Sequence, residues 1–146
     1  SFYFTQEKSN LMKCDSRLNL CQLVDQLADN MSSGFGNKEV INDISPCVEA
    51  DTCQGMLKQT LCSLLKKVTD FTSGKQVHVS AKTFHNLIVV RVKYADPAQQ
   101  GDIEKNFEEI KNLAGFLGGS IYINDSKLNE TSVSITFLDH QLSKTA

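Results

Sequence analysis

The stretch DTCQGMLKQTLCSLLKKVTDFT, residues 51–72, decides how the rest of this chain folds. Cys53, Leu57, Leu61, Leu64, Leu65 and Val68 recur at spacings of three and four. On a helix of 3.6 residues per turn that spacing makes one broad apolar stripe. Asp51, with Gln54 three positions on, reads as an N-cap and its box partner. Lys66 and Lys67 suit a last turn, where the helix dipole favours cations. A helix this apolar on one side must lie across a larger core, and the segments that follow it supply one.

After Gly74, Val77, Val79 and Ala81 alternate with His78, Ser80 and Lys82 as a half-buried strand. A turn at 84–86 leads into LIVVRVKY, residues 87–94, the most β-prone stretch of the chain, with Ile88, Val90, Val92 and Tyr94 on one face. The two should form a hairpin at the centre of a sheet. ADPAQQG, residues 95–101, is a polar loop, and Asp102 can cap a further helix whose stripe is Ile103, Phe107, Ile110, Leu113, Ala114 and Leu117. Gly118-Gly119 ends it, since glycine takes positive φ without a steric cost. Strands at 120–124 and 131–138 follow, the second with Val133, Ile135 and Phe137 inward.

Upstream, Leu20, Leu23, Val24, Leu27 and Met31 mark an earlier helix, capped by Asn19 with Gln22 and stopped at Ser32-Ser33-Gly34. Residues 34–38 read as a loop. Val40, Asn42 and Ile44 alternate as a short strand, an edge candidate because Pro46 follows, and 47–50 are extended. Paired strands separated by single helices suit an α/β (α+β) two-layer sandwich, with a mixed, mostly antiparallel sheet covered on one face by three helices. The organisation expected is a lead-in or linker over 1–17, one domain over 18–138 and a flexible tail over 139–146.

The composition narrows function by exclusion. With 146 residues, 40% hydrophobic and 22% charged, the chain has the make-up of one globular domain. A formal charge of -2 with no single-sign runs gives no drive toward nucleic acid or an anionic membrane surface. Cys14, Cys21, Cys47, Cys53 and Cys62 lack CxxC spacing and read as reduced structural thiols of a cytoplasmic domain. His78, His85 and His140 are scattered among polar residues and read as solvated, so no metal site is expected.

The element order resembles the ATP-binding catalytic domain of bacterial sensor histidine kinases, the Bergerat-type fold. MLKQTLCSLLKKVTDFTSGKQVHVS is similar to that family's long helix and the strand after it. LIVVRVKYAD is similar to the strand leading to its adenine-binding aspartate, and IKNLAGFLGGSIYI to the helix ending in paired glycines. TSVSITFL is similar to its closing strand and LNLCQLVDQLADNM to its first helix. The resemblance covers about residues 18–138 and implies the same sandwich.

The same resemblance implies an eroded nucleotide site. Where the family's long helix presents asparagines whose amide oxygen holds Mg²⁺, this chain aligns Ser63 and Lys67. A charged lysine has three donors and no lone pair, so it cannot ligate Mg²⁺; read plainly, Lys66-Lys67 is a solvated last turn. The family's adenine-binding aspartate aligns with Lys93, a donor where an acceptor is needed, and the glycine two places on with Ala95. Of the glycines that flank the family's lid only Gly101 remains, and Asp102, Glu104, Glu108 and Glu109 would repel phosphate. Asn129-Glu130 replace the last glycine motif, leaving the Thr131 and Ser132 hydroxyls as matches to the closing threonine.

Three functions are open on this reading. One is a degenerate histidine-kinase ATPase-like domain in two-component signalling, with no catalytic residues and no cofactor, docking onto a dimerisation helix pair or a receiver domain. The second is a divergent but active ATP-binding domain using ATP and Mg²⁺. The third is a free-standing regulatory interaction module of the same fold. No phospho-acceptor histidine box is present, so phosphotransfer by this chain alone is not expected, nor is contact with a membrane or nucleic acid.

Overall fold

The β-branched run LIVVRVKYA becomes the middle strand of the sheet, β5 (Leu87–Ala95), in the computed structural model. The structure describes residues 17–31, 38–72, 74–95, 107–125 and 130–139. In chain order the elements are β1 (Arg17–Asn19), α1 (Leu20–Met31), β2 (Glu39–Asn42), β3 (Glu49–Asp51), α2 (Gln54–Phe71), β4 (Gln76–Phe84), β5, α3 (Glu108–Phe116), β6 (Ser120–Asp125) and β7 (Glu130–Leu138). The main sheet has the order β2-β4-β5-β7-β6. Only β2–β4 is parallel among its described pairs, so the sheet is mixed and mostly antiparallel, as the element order implies.

Period-two alternation fixes which face meets the helices. Val77, Val79, Ile88, Val90, Val92, Tyr94, Val133, Ile135 and Phe137 point to one side and are all buried. Against them lie Leu20, Leu23, Val24 and Leu27 of α1, Leu57, Leu61, Leu64, Leu65 and Val68 of α2, and Ile110 and Ala114 of α3. The predicted stripe of α2 is therefore the middle of the core, except Cys53, which precedes the helix and is half-buried.

Both ends of α2 differ from expectation. Asp51 is not its N-cap: it closes β3, paired with Arg17, and the cap position falls to Cys53 with no side-chain bond. Pairing with β1 keeps the chain extended through Asp51, and the Asp51 N–H is spent on Asp139 Oδ1 at 3.2 Å. Lys66 and Lys67 are not in the last turn either, because the helix runs on to Phe71. The Asn19 cap of α1 is as read, the Gln22 N–H donating to Asn19 Oδ1 at 3.0 Å.

The strand β1 had no sequence signal, being three residues long. It forms a separate two-stranded sheet with β3. Asp139, fully buried just past β7, joins this small sheet to the large one. Its carboxylate accepts from Arg17 Nη1 and the Asp51 N–H, both at 3.2 Å, and its own N–H donates to Asn86 O at 2.9 Å. Asn86 lies in the hairpin turn between β4 and β5, where His85 takes φ 56°.

The described part of α3 starts at Glu108, so Asp102 and Ile103, the predicted cap and first stripe residue, lie outside the described residues, as do the stop at Ser32-Ser33-Gly34 and His140. Its other end is as read. Gly118 stands at φ +74°, its N–H donating to Gly115 O and the Gly119 N–H to Ala114 O, each at 3.0 Å. That pair of bonds is the Schellman closure. Gly119 has a second role: a Cβ built on it would fall inside the Thr136 carbonyl of β7. Cys21, Cys47 and Cys62 are free thiols.

Candidate functional site

The polar side of α2 is set by the same periodicity that sets its stripe. Residues four apart stack on one face, which places the half-buried Ser63 and Lys67 together, one turn apart. Nearer the helix start, the buried Thr60 turns its hydroxyl back to Met56 O at 2.7 Å. Between them Ser63 and Lys67 offer one hydroxyl oxygen and one ammonium. A hard divalent cation needs about six oxygen ligands, so this donor set does not fit Mg²⁺. Among the described residues no group of three or more His, Cys, Asp or Glu is placed to hold a metal ion.

The end of α2 is clamped to the end of β5. Thr72, buried past the helix terminus, donates from Oγ1 to Ala95 O at 3.1 Å and accepts from the Gly74 N–H at 3.1 Å. A Cβ at Gly74 would meet Ala95 Cβ at 3.3 Å, so the two strands' approaches are close-packed here. Ala95 thus lies at the foot of α2, where the resemblance expects a glycine.

Lys93 is elsewhere. Val92 and Tyr94 are buried beneath the helices, and alternation sends the exposed Lys93 to the opposite, outer face of the sheet. Its cross-strand neighbours there are His78 and Ser132. The residue that faces the helices at this end of β5 is Tyr94, directly opposite the buried Thr131. Of the six candidate residues, Ser63 and Lys67 share one face of α2, Ala95 is tied to that helix's end, and Thr131 faces the same layer. Lys93 and Ser132 pair with each other on the other side. Tyr94 was legible as the inward residue, since it already closed the alternation Ile88, Val90, Val92, Tyr94. Gly74 was legible as the end of the helix region, but the Thr72 bridge was not, because a hydroxyl bond between distant segments leaves no local pattern.

The buried carboxylates Asp51 and Asp139 do not serve this site. Asp139 follows the far end of β7 from Thr131, eight residues along a strand that rises about 3.3 Å per residue, hence roughly 26 Å away. Glu108 and Glu109, exposed in the first turn of α3, face the helix dipole favourably and would repel a phosphate.

No protein-family model and no curated protein sequence matches the chain. Solved structures do match in fold. The catalytic domain of histidine kinase ThkA superposes with a TM-score of 0.73 at 12% identity, over 86% of this chain and 97% of that one. The ATP-binding domain of PrrB from Mycobacterium tuberculosis gives 0.72 at 14%, over 86% and 97%. Acinetobacter baumannii histidine kinase AdeS gives 0.69 at 11%, over 85% of this chain and 66% of that one. The chain has the fold of histidine-kinase catalytic domains.

Proposed function

We propose that this chain is a degenerate histidine-kinase ATPase-like domain that acts in two-component signal transduction by protein docking rather than by ATP hydrolysis or phosphotransfer. The fold supports the family reading. The observation that carries the loss of chemistry is the Ser63–Lys67 pair on α2, which presents an ammonium where Mg²⁺ would need an oxygen. Tyr94 adds to it: the side chain that faces the helices at this end of β5 is a bulky phenol rather than a carboxylate. The partner is a dimerisation helix pair or a receiver domain, and the compartment is the cytoplasm. Among the described residues no helix is long and apolar enough to cross a membrane.

A second reading, a divergent but working ATP-binding domain, is favoured by one observation, the inward-facing Thr131 where the family's closing threonine is expected. Thermal unfolding with millimolar ATP or ADP and Mg²⁺ separates the two. A nucleotide at a hundred times its dissociation constant adds about 2.7 kcal/mol, a rise of several degrees. No rise is expected; a concentration-dependent rise transfers the assignment to the second reading.

A further inference from the structure

The outer face of the sheet carries a graded charge pattern that the nucleotide question leaves untouched. Strand register sorts its side chains into rows running across the strands. At one end Glu39 stands beside Gln76 and Glu130 beside Ala95. The next row is Ile41, His78, Lys93, Ser132 and Asn124, followed by Ser80, Arg91, Ser134 and Tyr122, and then Lys82, Val89, Thr136 and Ser120. The far end is apolar, with Phe84, Leu87 and Leu138 side by side. Lys82, Arg91 and Lys93 are exposed, and among the described residues none of them has an acidic partner. Asp43 pairs with His78 at 3.5 Å at the sheet's margin. Arg91 Nε donates to Ser134 Oγ at 3.4 Å, its cross-strand neighbour on β7. Phe84 and Tyr122 are 63% and 65% exposed, too open to be core and placed at two borders of the cationic rows.

We infer that this face is a docking surface for a protein that presents a cluster of carboxylates bordered by apolar side chains. The inference deepens the docking reading above and rests on it for the partner being a protein. Three cations without an acidic partner among the described residues, in a chain whose formal charge is -2, are a local excess against the overall sign. Complementary charge at such a patch steers encounter and fixes orientation. The two glutamates at one end oppose a uniform polyanion lying over the whole face, and the apolar row at the other end suits a protein contact. The size sets the strength. Four strands about 4.8 Å apart, three of them nine residues long and β6 six, cover at most roughly 14 by 27 Å, or about 400 Å². That is half of the ~800 Å² per partner of a standard interface, so the contact is transient and salt-sensitive.

The test is amide chemical-shift mapping of the full chain with three probes at 50 and 300 mM NaCl. They are a synthetic peptide of glutamates flanked by leucines, a twelve-nucleotide oligothymidylate and phosphatidylserine vesicles. The peptide is expected to move amides of β4, β5 and β7 and to bind at least tenfold more weakly at the higher salt. The triple variant Lys82→Glu, Arg91→Glu, Lys93→Glu is expected to lose a further tenfold or more with its melting temperature unchanged. Should the triple variant not fold, Lys82→Glu and Lys93→Glu singly carry the same comparison. Peptide binding that maps elsewhere, that the variants leave intact, or that is absent overturns the inference. So does tighter binding of the oligonucleotide or the vesicles. Nucleotide-dependent stabilisation is read separately, so a chain that binds ATP can still pass this test.

Discussion

Gly118 and Gly119 are adjacent and chemically identical, yet the structure requires each for a different reason, and the two reasons predict different losses on substitution. At Gly118 the constraint is conformational: φ is +74°, while a Cβ would reach only ordinary contact with Leu138 Cδ1 at 3.4 Å. Placing an L-residue in that region costs about 1–2 kcal/mol. The reduced freedom of the unfolded chain returns roughly 0.4–1 kcal/mol. Gly118→Ala should therefore lose about 1 kcal/mol, and Gly118→Asn less, since asparagine tolerates the left-handed region. At Gly119 the constraint is space. A new Cβ would overlap the Thr136 carbonyl, which is backbone and cannot rotate away. Because β7 is paired on both sides, relieving the overlap strains the ladders to β5 and β6. Overpacking costs about 1–3 kcal/mol, and each ladder bond lost adds about 1 kcal/mol. Gly119→Ala should lose about 3 kcal/mol. Urea denaturation monitored by far-UV circular dichroism reads both, and the melting temperatures should fall by about 4 and 12 °C. A Gly119→Ala protein within about 0.5 kcal/mol of the parent would refute the close approach of α3's end to β7.

Other substitutions probe the layers separately. Leu64→Ala removes a fully buried side chain from the centre of the α2 stripe and should cost about 2–5 kcal/mol in chemical denaturation. A loss under 1 kcal/mol would place the stripe at the surface instead. Asn19→Ala deletes the acceptor for the Gln22 N–H and should lower stability by about 1 kcal/mol, whereas Asn19→Ser or Asn19→Asp should keep most of it. Thr72→Val removes both bonds of the hydroxyl that joins Ala95 to Gly74 and should cost about 1–3 kcal/mol. Thr72→Ser, which keeps the hydroxyl, is the control and should lose less; a larger loss in Thr72→Ser than in Thr72→Val would mean that the methyl, not the hydroxyl, holds the α2 end.

Much of the sandwich was legible because its signals are local. The stripe of α2, the alternation of β4, β5 and β7, the Asn19 cap and the Gly118 terminus each need only a few neighbouring residues to be read. The two misreadings at the ends of α2 have separate causes. Asp51 has a good N-cap side chain, but pairing with Arg17 thirty-four positions earlier holds it in a strand. Lys66-Lys67 resembled a last turn because the helix's final turn contains no charge of the favoured sign. Lys93, matched by resemblance to the family's adenine-binding aspartate, stands on the outer face by its strand's parity.

Residue order alone sets which face of each element is apolar, and through that the two-layer arrangement, because burial of a periodic stripe needs nothing more. It also sets the donor chemistry at Ser63 and Lys67, since no fold gives a charged lysine a lone pair. Tertiary structure decided which polar groups meet. Asp139 joins the small sheet to the large one through Arg17 and Asp51, Thr72 fastens α2 to β5, and the outward rows gather Lys82, Arg91 and Lys93 from two strands onto one surface. Strand pairing sets those encounters, and the register that brings residues 80, 91 and 134 side by side is a property of the folded sheet rather than of any one segment.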